Sequence, residues 1–224
     1  MKKLLFLLSL AAGLFTACQT NTGNAEAAKT TEAKETASAS SAAINYHVDT
    51  AQSVVYWEGY KPGKYGHRGT MKLQSGTIAA KNGVPESGEF IINVASLENI
   101  DLAENPEKKA KLEGHLKSAD FFDVATYPAG KFVMTGIAPL EGNPKANYTV
   151  KGNLTLKDIT KGIEIPAHIS LNNGTLVVTT PEFTINRTDW GVNYGSGIIG
   201  TIKDKMIADD VKLKINLVAT AAAN

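Results

Sequence analysis

Four histidines (His47, His67, His115 and His168), one cysteine (Cys18) and an Arg187-Thr188-Asp189 run are the residues whose types offer chemistry. None of the histidines stands at metal-ligand spacing, which places imidazole or thiolate groups a few residues apart. His168 falls on the polar side of an alternating segment. His115 precedes a Phe121-Phe122 pair, and its ring suits either a bond to a loop carbonyl or contact with a bound molecule. On an extended strand Arg187 and Asp189 would point to the same side. The guanidinium there either takes a phosphate or carboxylate or forms an ion pair that braces the loop before Trp190. No Ser-His-Asp arrangement emerges, because Ser53, Ser96, Ser118 and Asp120 each have a ready structural use. The Gly-rich stretch 195–200 follows no parallel strand and lacks a Lys after it. It reads as a barrel-mouth loop rather than a phosphate cradle. The sequence predicts no enzyme, no metal and no cofactor.

The elements that position these residues are strands. From Asn147 to Leu171, Tyr148, Val150, Leu154 and Leu156 alternate with polar residues. After a turn around Asp158 to Gly162, Ile163, Ile165, Ile169 and Leu171 do the same. A period of two gives a hairpin with one wet and one apolar face. The pattern repeats in Val54–Tyr60, 69–73, 77–80, 89–95, 131–134, 175–185 and 211–217, with Asn82-Gly83 and Asn173-Gly174 as hairpin turns. About eight strands predict an all-β antiparallel barrel, whose interior is filled or holds one small ligand. Pro106 and the charged run after it predict a short helix within an insertion near 104–125. The inward face is expected to carry Val55, Trp57, Met71, Leu73, Phe90, Ile92, Val94, Phe132, Met134, Val150, Leu154, Ile165, Phe183, Ile185, Leu213 and Ile215. Arg187 and Trp190 join these as candidate ligand contacts. The large aromatics Tyr56, Trp57, Tyr60 and Trp190 suit a cavity wall or plain core.

Residues 1–18 lie outside this pattern. Lys2 and Lys3 precede an apolar run, Leu4 to Leu14, too short to span a bilayer. The run ends in Leu14-Phe15-Thr16-Ala17-Cys18, which resembles a bacterial lipoprotein signal with Cys18 as the acylated (palmitate-bearing) first residue of the mature chain. An ordinary secretory peptide with an incidental Cys18 is the alternative. Residues 19–43 hold no aromatics and are expected to form a disordered tether, leaving 44–220 as one domain. The 23 basic and 22 acidic residues become 21 and 22 without Lys2 and Lys3. No basic stripe for a nucleic acid emerges.

Several further segments resemble the YceI-like family of bacterial periplasmic lipid-binding domains. They are Asp49 with Ser53 to Trp57, Val94 to Leu97, His115-Leu116-Lys117-Ser118-Ala119-Asp120-Phe121-Phe122-Asp123-Val124, and Tyr127-Pro128 with Phe132. Val150 to Leu156, Ile185 to Gly191 and Val211 to Leu217 complete the set. The resemblance implies a lipocalin-like barrel holding a long isoprenoid or similar amphiphile (a quinone or fatty-acid-like molecule). Gln52 departs from the His common in the family, and Leu112-Glu113 departs from its usual Arg-led pair. The expected protein is a carrier anchored by Cys18 to the bacterial cell envelope. Gln19 is compatible with passage to the outer membrane, facing the periplasm. An enzyme acting on a captured lipid and a ligandless envelope-stress or interaction module stand as alternatives. The oligomeric state is open, a dimer included.

Overall fold

The computed structural model describes residues 25–63, 66–201 and 206–222. The signal segment with Cys18 therefore lies outside the described residues, as do Lys64 and Tyr65. Strands run as β1 Glu26–Ala27, β2 Lys29–Thr31, β3 Ile44–Val48, β4 Val54–Tyr60, β5 Gly66–Lys81, β6 Val84–Asn99 and β7 Ala129–Pro139. They continue as β8 Tyr148–Leu156, β9 Ile159–Asn172, β10 Thr175–Thr179, β11 Phe183–Asn186 and β12 Asp210–Ala221. A single α-helix among the described residues, α1 Pro106–Lys117, joins β6 to β7.

β12 closes the sheet. It pairs with β10 and β11 on one side and with β3 and β4 on the other, and β3 and β4 both pair with β5. From β5 the order continues through β6, β7, β8 and β9 to β10. With β3/β4 and β10/β11 each sharing one place, the ring is the predicted eight-stranded antiparallel barrel. Two predicted short strands, 69–73 and 77–80, are parts of one long β5, whose pairing with β6 is kinked by irregularities near Met71 and Gln74. Bulges of this kind raise local twist and let a long strand curl round a barrel. Conversely, the single segment expected at 175–185 breaks at Thr180–Glu182 into β10 and β11. Both Asn-Gly turns take positive φ at each residue (52° and 81° at Asn82-Gly83, 48° and 78° at Asn173-Gly174), the geometry that suits hairpin twist.

Helix α1 starts where its sequence says it should. Asn105 accepts a bond from Lys108 N at 3.1 Å, and Pro106 takes the first turn. None of its residues is fully buried, so propensity and ties to β6 hold it. Those ties are Asn99 N donating to Glu113 Oε1 at 2.7 Å and Lys109 Nζ meeting Glu98 Oε1 at 2.7 Å. Glu113, one of the two departures from the family pattern, is thus a helix fastener.

The structure differs from expectation between residues 25 and 43, where a tether without order was expected. β1 runs parallel to β11, and Ala28 N donates to Thr184 O at 2.8 Å. β2 pairs antiparallel with β9 at Gly162–Glu164. This strap fills the gap that the β10–β11 break leaves beside β9. It then crosses β8 and β7 to β6, with Ala37 N on Met134 O at 2.9 Å and Ser40 N on Glu86 Oε2 at 2.6 Å. The composition argument fails here because it counts side-chain burial, whereas the strap is held by backbone groups that every residue type carries.

A candidate ligand cavity

Two apolar clusters occupy the barrel. Tyr46, Ile78, Ala80, Leu176 and Ala219 are buried together at the β3–β5–β10–β12 end of the barrel, its base. Leu154, Ile163, Ile165, Phe183 and Ile185 form the second cluster nearer α1, with Ala28 of the strap packed behind them. Between these and the helix lies a cavity of about 600 Å³. Its wall is predominantly aliphatic and aromatic. This is the composition expected of a lumen that excludes water and takes an apolar guest.

The strand alternation places the predicted residues well. Val55, Trp57, Met71, Leu73, Phe90, Ile92, Val94, Phe132, Met134, Val150, Leu154, Ile165, Phe183, Ile185, Leu213 and Ile215 all line the cavity. Three of the aromatic members lie against glycine on a neighbouring strand, Trp57 against Gly69, Phe90 against Gly76 and Phe132 against Gly152. A Cβ on Gly152 would lie 2.1 Å from Phe132 Cζ, so only glycine lets that ring lie across β8.

Two candidates do other work. Trp190 is fully buried but outside the cavity wall. Its indole N–H donates to Leu154 O at 2.9 Å, fastening the turn after β11 to β8. Arg187 reaches the cavity, yet its guanidinium is spent on the loop before β12. It donates to the carbonyls of Val192, Ala208 (3.0 Å) and Ile207 (3.3 Å) and to Asp209 Oδ1 (3.3 Å). Burial pushes this group below its usual pKa and Asp209 opposes the shift. The expectation that Arg187 and Asp189 share one side of a strand is corrected. Arg187–Trp190 is a 3₁₀ turn, and the carboxylate that pairs with Arg187 is that of Asp209. Arg187 thus braces a loop, but the one after Trp190 rather than the one before it.

The rim carries the polar groups. His115 lines the cavity, and its Nε2 lies 3.2 Å from Asp120 Oδ2, so its partner is a carboxylate rather than the expected loop carbonyl. Its ring meets Phe121 and Tyr194 edge-on at 5.1 and 4.7 Å. Phe121 and Phe122 both face the cavity. His67 Nδ1 lies 2.8 Å from Asp101 Oδ2. Burial pushes the Asp101 carboxyl up, but bonds from Arg68 N, His67 and Asn99 outweigh it and leave the pKa lowered. His47 lies in β3 and His168 on the outside of β9, apart from these groups. Among the described residues no cluster of three or more His, Cys, Asp or Glu is placed to hold a metal. Leu112, Leu116, Tyr194 and Ile207 also line the cavity and were not among the lining residues expected from the sequence. The four-residue spacing of Leu112 and Leu116 was a readable helix-face signal.

Residues 46–219 match the YceI-like domain. The chain belongs to the YceI-like family. UPF0312 proteins of Shewanella denitrificans (32% identical over 126 residues) and Pseudomonas syringae pv. syringae (39% over 99) are similar to it. The matches cover 56% and 44% of this chain and 56% and 47% of the relatives. The chain thus spans about half the length of the curated relatives it matches. Among solved structures, BcnA of Burkholderia cenocepacia superposes with a TM-score of 0.61 at 28% identity, over 77% of this chain and 99% of BcnA. A polyisoprenoid binding domain of Saccharophagus degradans gives 0.56 at 15% identity, over 80% and 99%, which is a likeness of fold.

Proposed function

We propose that the protein is a carrier that holds a long apolar amphiphile, such as an isoprenoid, quinone or fatty-acid-like molecule, inside the barrel. The observation that carries this reading is the preformed cavity of about 600 Å³, apolar along its walls. An apolar tail burying ~400 Å² at ~25 cal/mol per Å² gains on the order of 10 kcal/mol gross. Association and ordering oppose this with ~4–15 kcal/mol, so useful affinity needs a lumen that is already formed and dry. Membership of the YceI-like family and a fold shared with a polyisoprenoid binding domain support the same guest class.

The carrier is further proposed to be held at the envelope through acylated Cys18, facing the periplasm from the outer membrane. Incorporation of labelled palmitate that disappears in Cys18→Ala tests the anchor. Native mass spectrometry with lipid extraction tests the cargo. Leu154→Arg, which puts a charge on the cavity wall, should empty the protein, and Lys151→Ala on the outer face should not. Equal loss in both, or a wild-type protein with no bound lipid, contradicts the reading. Turnover of an isoprenoid that stops in His115→Ala while binding persists would favour an enzyme instead.

A further inference from the structure

One part of the cavity rim points apolar groups at water. Ile198 and Ile199 are 71% and 59% exposed, more than any other large apolar side chain among the described residues. They are held in that position by a defined turn. Ser196, fully buried, accepts a bond from Ile198 N at 3.1 Å through its Oγ. Gly200 N closes onto Gly197 O at 3.1 Å with Gly200 at φ 76°, and Ile207 N reaches Gly195 O at 2.8 Å. Apolar side chains fixed outward are a costly surface unless something covers them. The same loop reaches inward as well. Val192, Tyr194 and Ile207 line the cavity, and Arg187 clamps the loop to the barrel through the Val192 and Ile207 carbonyls.

We propose that the Gly197–Gly200 turn is a bilayer-docking tip. Ile198 and Ile199 enter the boundary between headgroups and acyl chains and set the rim of the cavity against the membrane. Apolar cargo then passes between bilayer and lumen without crossing water. The inference rests on the carrier reading for its purpose, though the exposed turn is observed independently of it. A membrane fits this tip better than a protein partner. A stable protein interface, a second copy of this chain included, takes about 1,000 Å² or more, and two side chains at the end of a turn fall well short. Shallow interfacial insertion asks for only a few apolar side chains beside an amphipathic ring. The exposed Tyr194, packed against Phe121 with ring centroids 5.2 Å apart and planes tilted by 43°, supplies such a ring.

The test uses the full chain incorporated into vesicles of phosphatidylethanolamine and phosphatidylglycerol. An environment-sensitive fluorophore is placed at Ile199→Cys or, as a control at the opposite end of the barrel, at Lys145→Cys. The 199 probe should shift to the blue and be quenched by lipids brominated in their acyl chains, while the 145 probe should stay water-like. Matching, unquenched spectra at both sites would overturn the proposal. In a second arm, Ile198→Ser with Ile199→Ser should slow cargo transfer from vesicle to protein about tenfold with the amount bound at equilibrium unchanged. Unchanged transfer would also overturn it. The two readings separate cleanly. Quenching at 199 in a protein that holds no lipid sinks the carrier and keeps the tip, and bound lipid with a water-like 199 probe does the reverse.

Discussion

The side-chain amide of Asn153 on β8 pairs with the backbone of Lys34 as a strand would, its Oδ1 accepting from Lys34 N at 2.9 Å and its Nδ2 donating to Lys34 O at 2.7 Å. Gly162 of β9, the ladder partner of Asn153, lies under Thr31, where an added Cβ would sit 2.5 Å from Thr31 Oγ1 and 2.7 Å from Glu32 O. Lys161 Nζ holds Glu32 Oε1 at 2.8 Å. The barrel's outer surface is therefore shaped to receive the segment that precedes it.

Asn153→Ala should loosen this strap. Two solvent-facing hydrogen bonds contribute about 1 kcal/mol together, so the whole protein should stay folded while amide exchange at residues 34–40 accelerates. Gly162→Val should act more strongly, since neither neighbouring backbone can retreat without breaking the β2–β9 pairing. Protease cutting within 25–43 would read out both variants, and unchanged protection in Gly162→Val would contradict the docked arrangement.

Gly152→Val should change cargo rather than fold class. The new side chain displaces the Phe132 ring into the cavity, and overpacking of this kind costs about 1–3 kcal/mol. The expected result is a cooperative but lower denaturation midpoint, with less co-purifying lipid than wild type in mass spectrometry.

Arg187→Met should free the loop between the turn at 187–190 and β12. It leaves the carbonyls of Val192, Ile207 and Ala208 without their donor, at a cost on the order of 3 kcal/mol. Exchange protection lost selectively at 192–201 and 206–209 is the measurement. Arg187→Lys should recover little, because an ammonium cannot reproduce the fork that meets three carbonyls at once.

Asp101 should make stability fall in acid. Its carboxyl is pushed up by burial but held lower still by bonds from Arg68 N, His67 and Asn99, so its folded pKa lies below the ordinary value. A depressed acid contributes stability that is present above the unfolded pKa, about 3.9, and is lost as pH falls through the folded pKa. Urea midpoints should therefore drop below about pH 4, and Asp101→Asn should flatten that part of the profile.

The sequence discloses the barrel's inside better than its ends. Alternation along β8, β9 and β12 places Leu154, Ile165 and Leu213 on the wall because strand period alone decides which face a residue takes. The base is harder to see: Leu176 is fully buried and Leu171, its β-ladder partner, is 41% exposed, although both are apolar members of alternating strands. Tertiary packing separates them, and strand period does not disclose it. Arg187 was equally opaque, since most of its acceptors are main-chain carbonyls that no sequence pattern marks, that of Val192 nearby and those of Ile207 and Ala208 far along the chain. Trp190 was visible as large and apolar, but a buried indole serves as a lining or as a fastener depending on where its N–H finds an acceptor.

The strap gives the molecule a hoop as well as staves. Near α1 it stands between β9 and β11 as an additional stave, and farther along it lies across the outside of β8, β7 and β6. A recombinant fragment beginning at Ile44 would keep every strand of the eight-place ring and still lack what covers the joint beside Gly162. Such a fragment would leak at its side, and its emptiness would say nothing about the vessel from which it was cut.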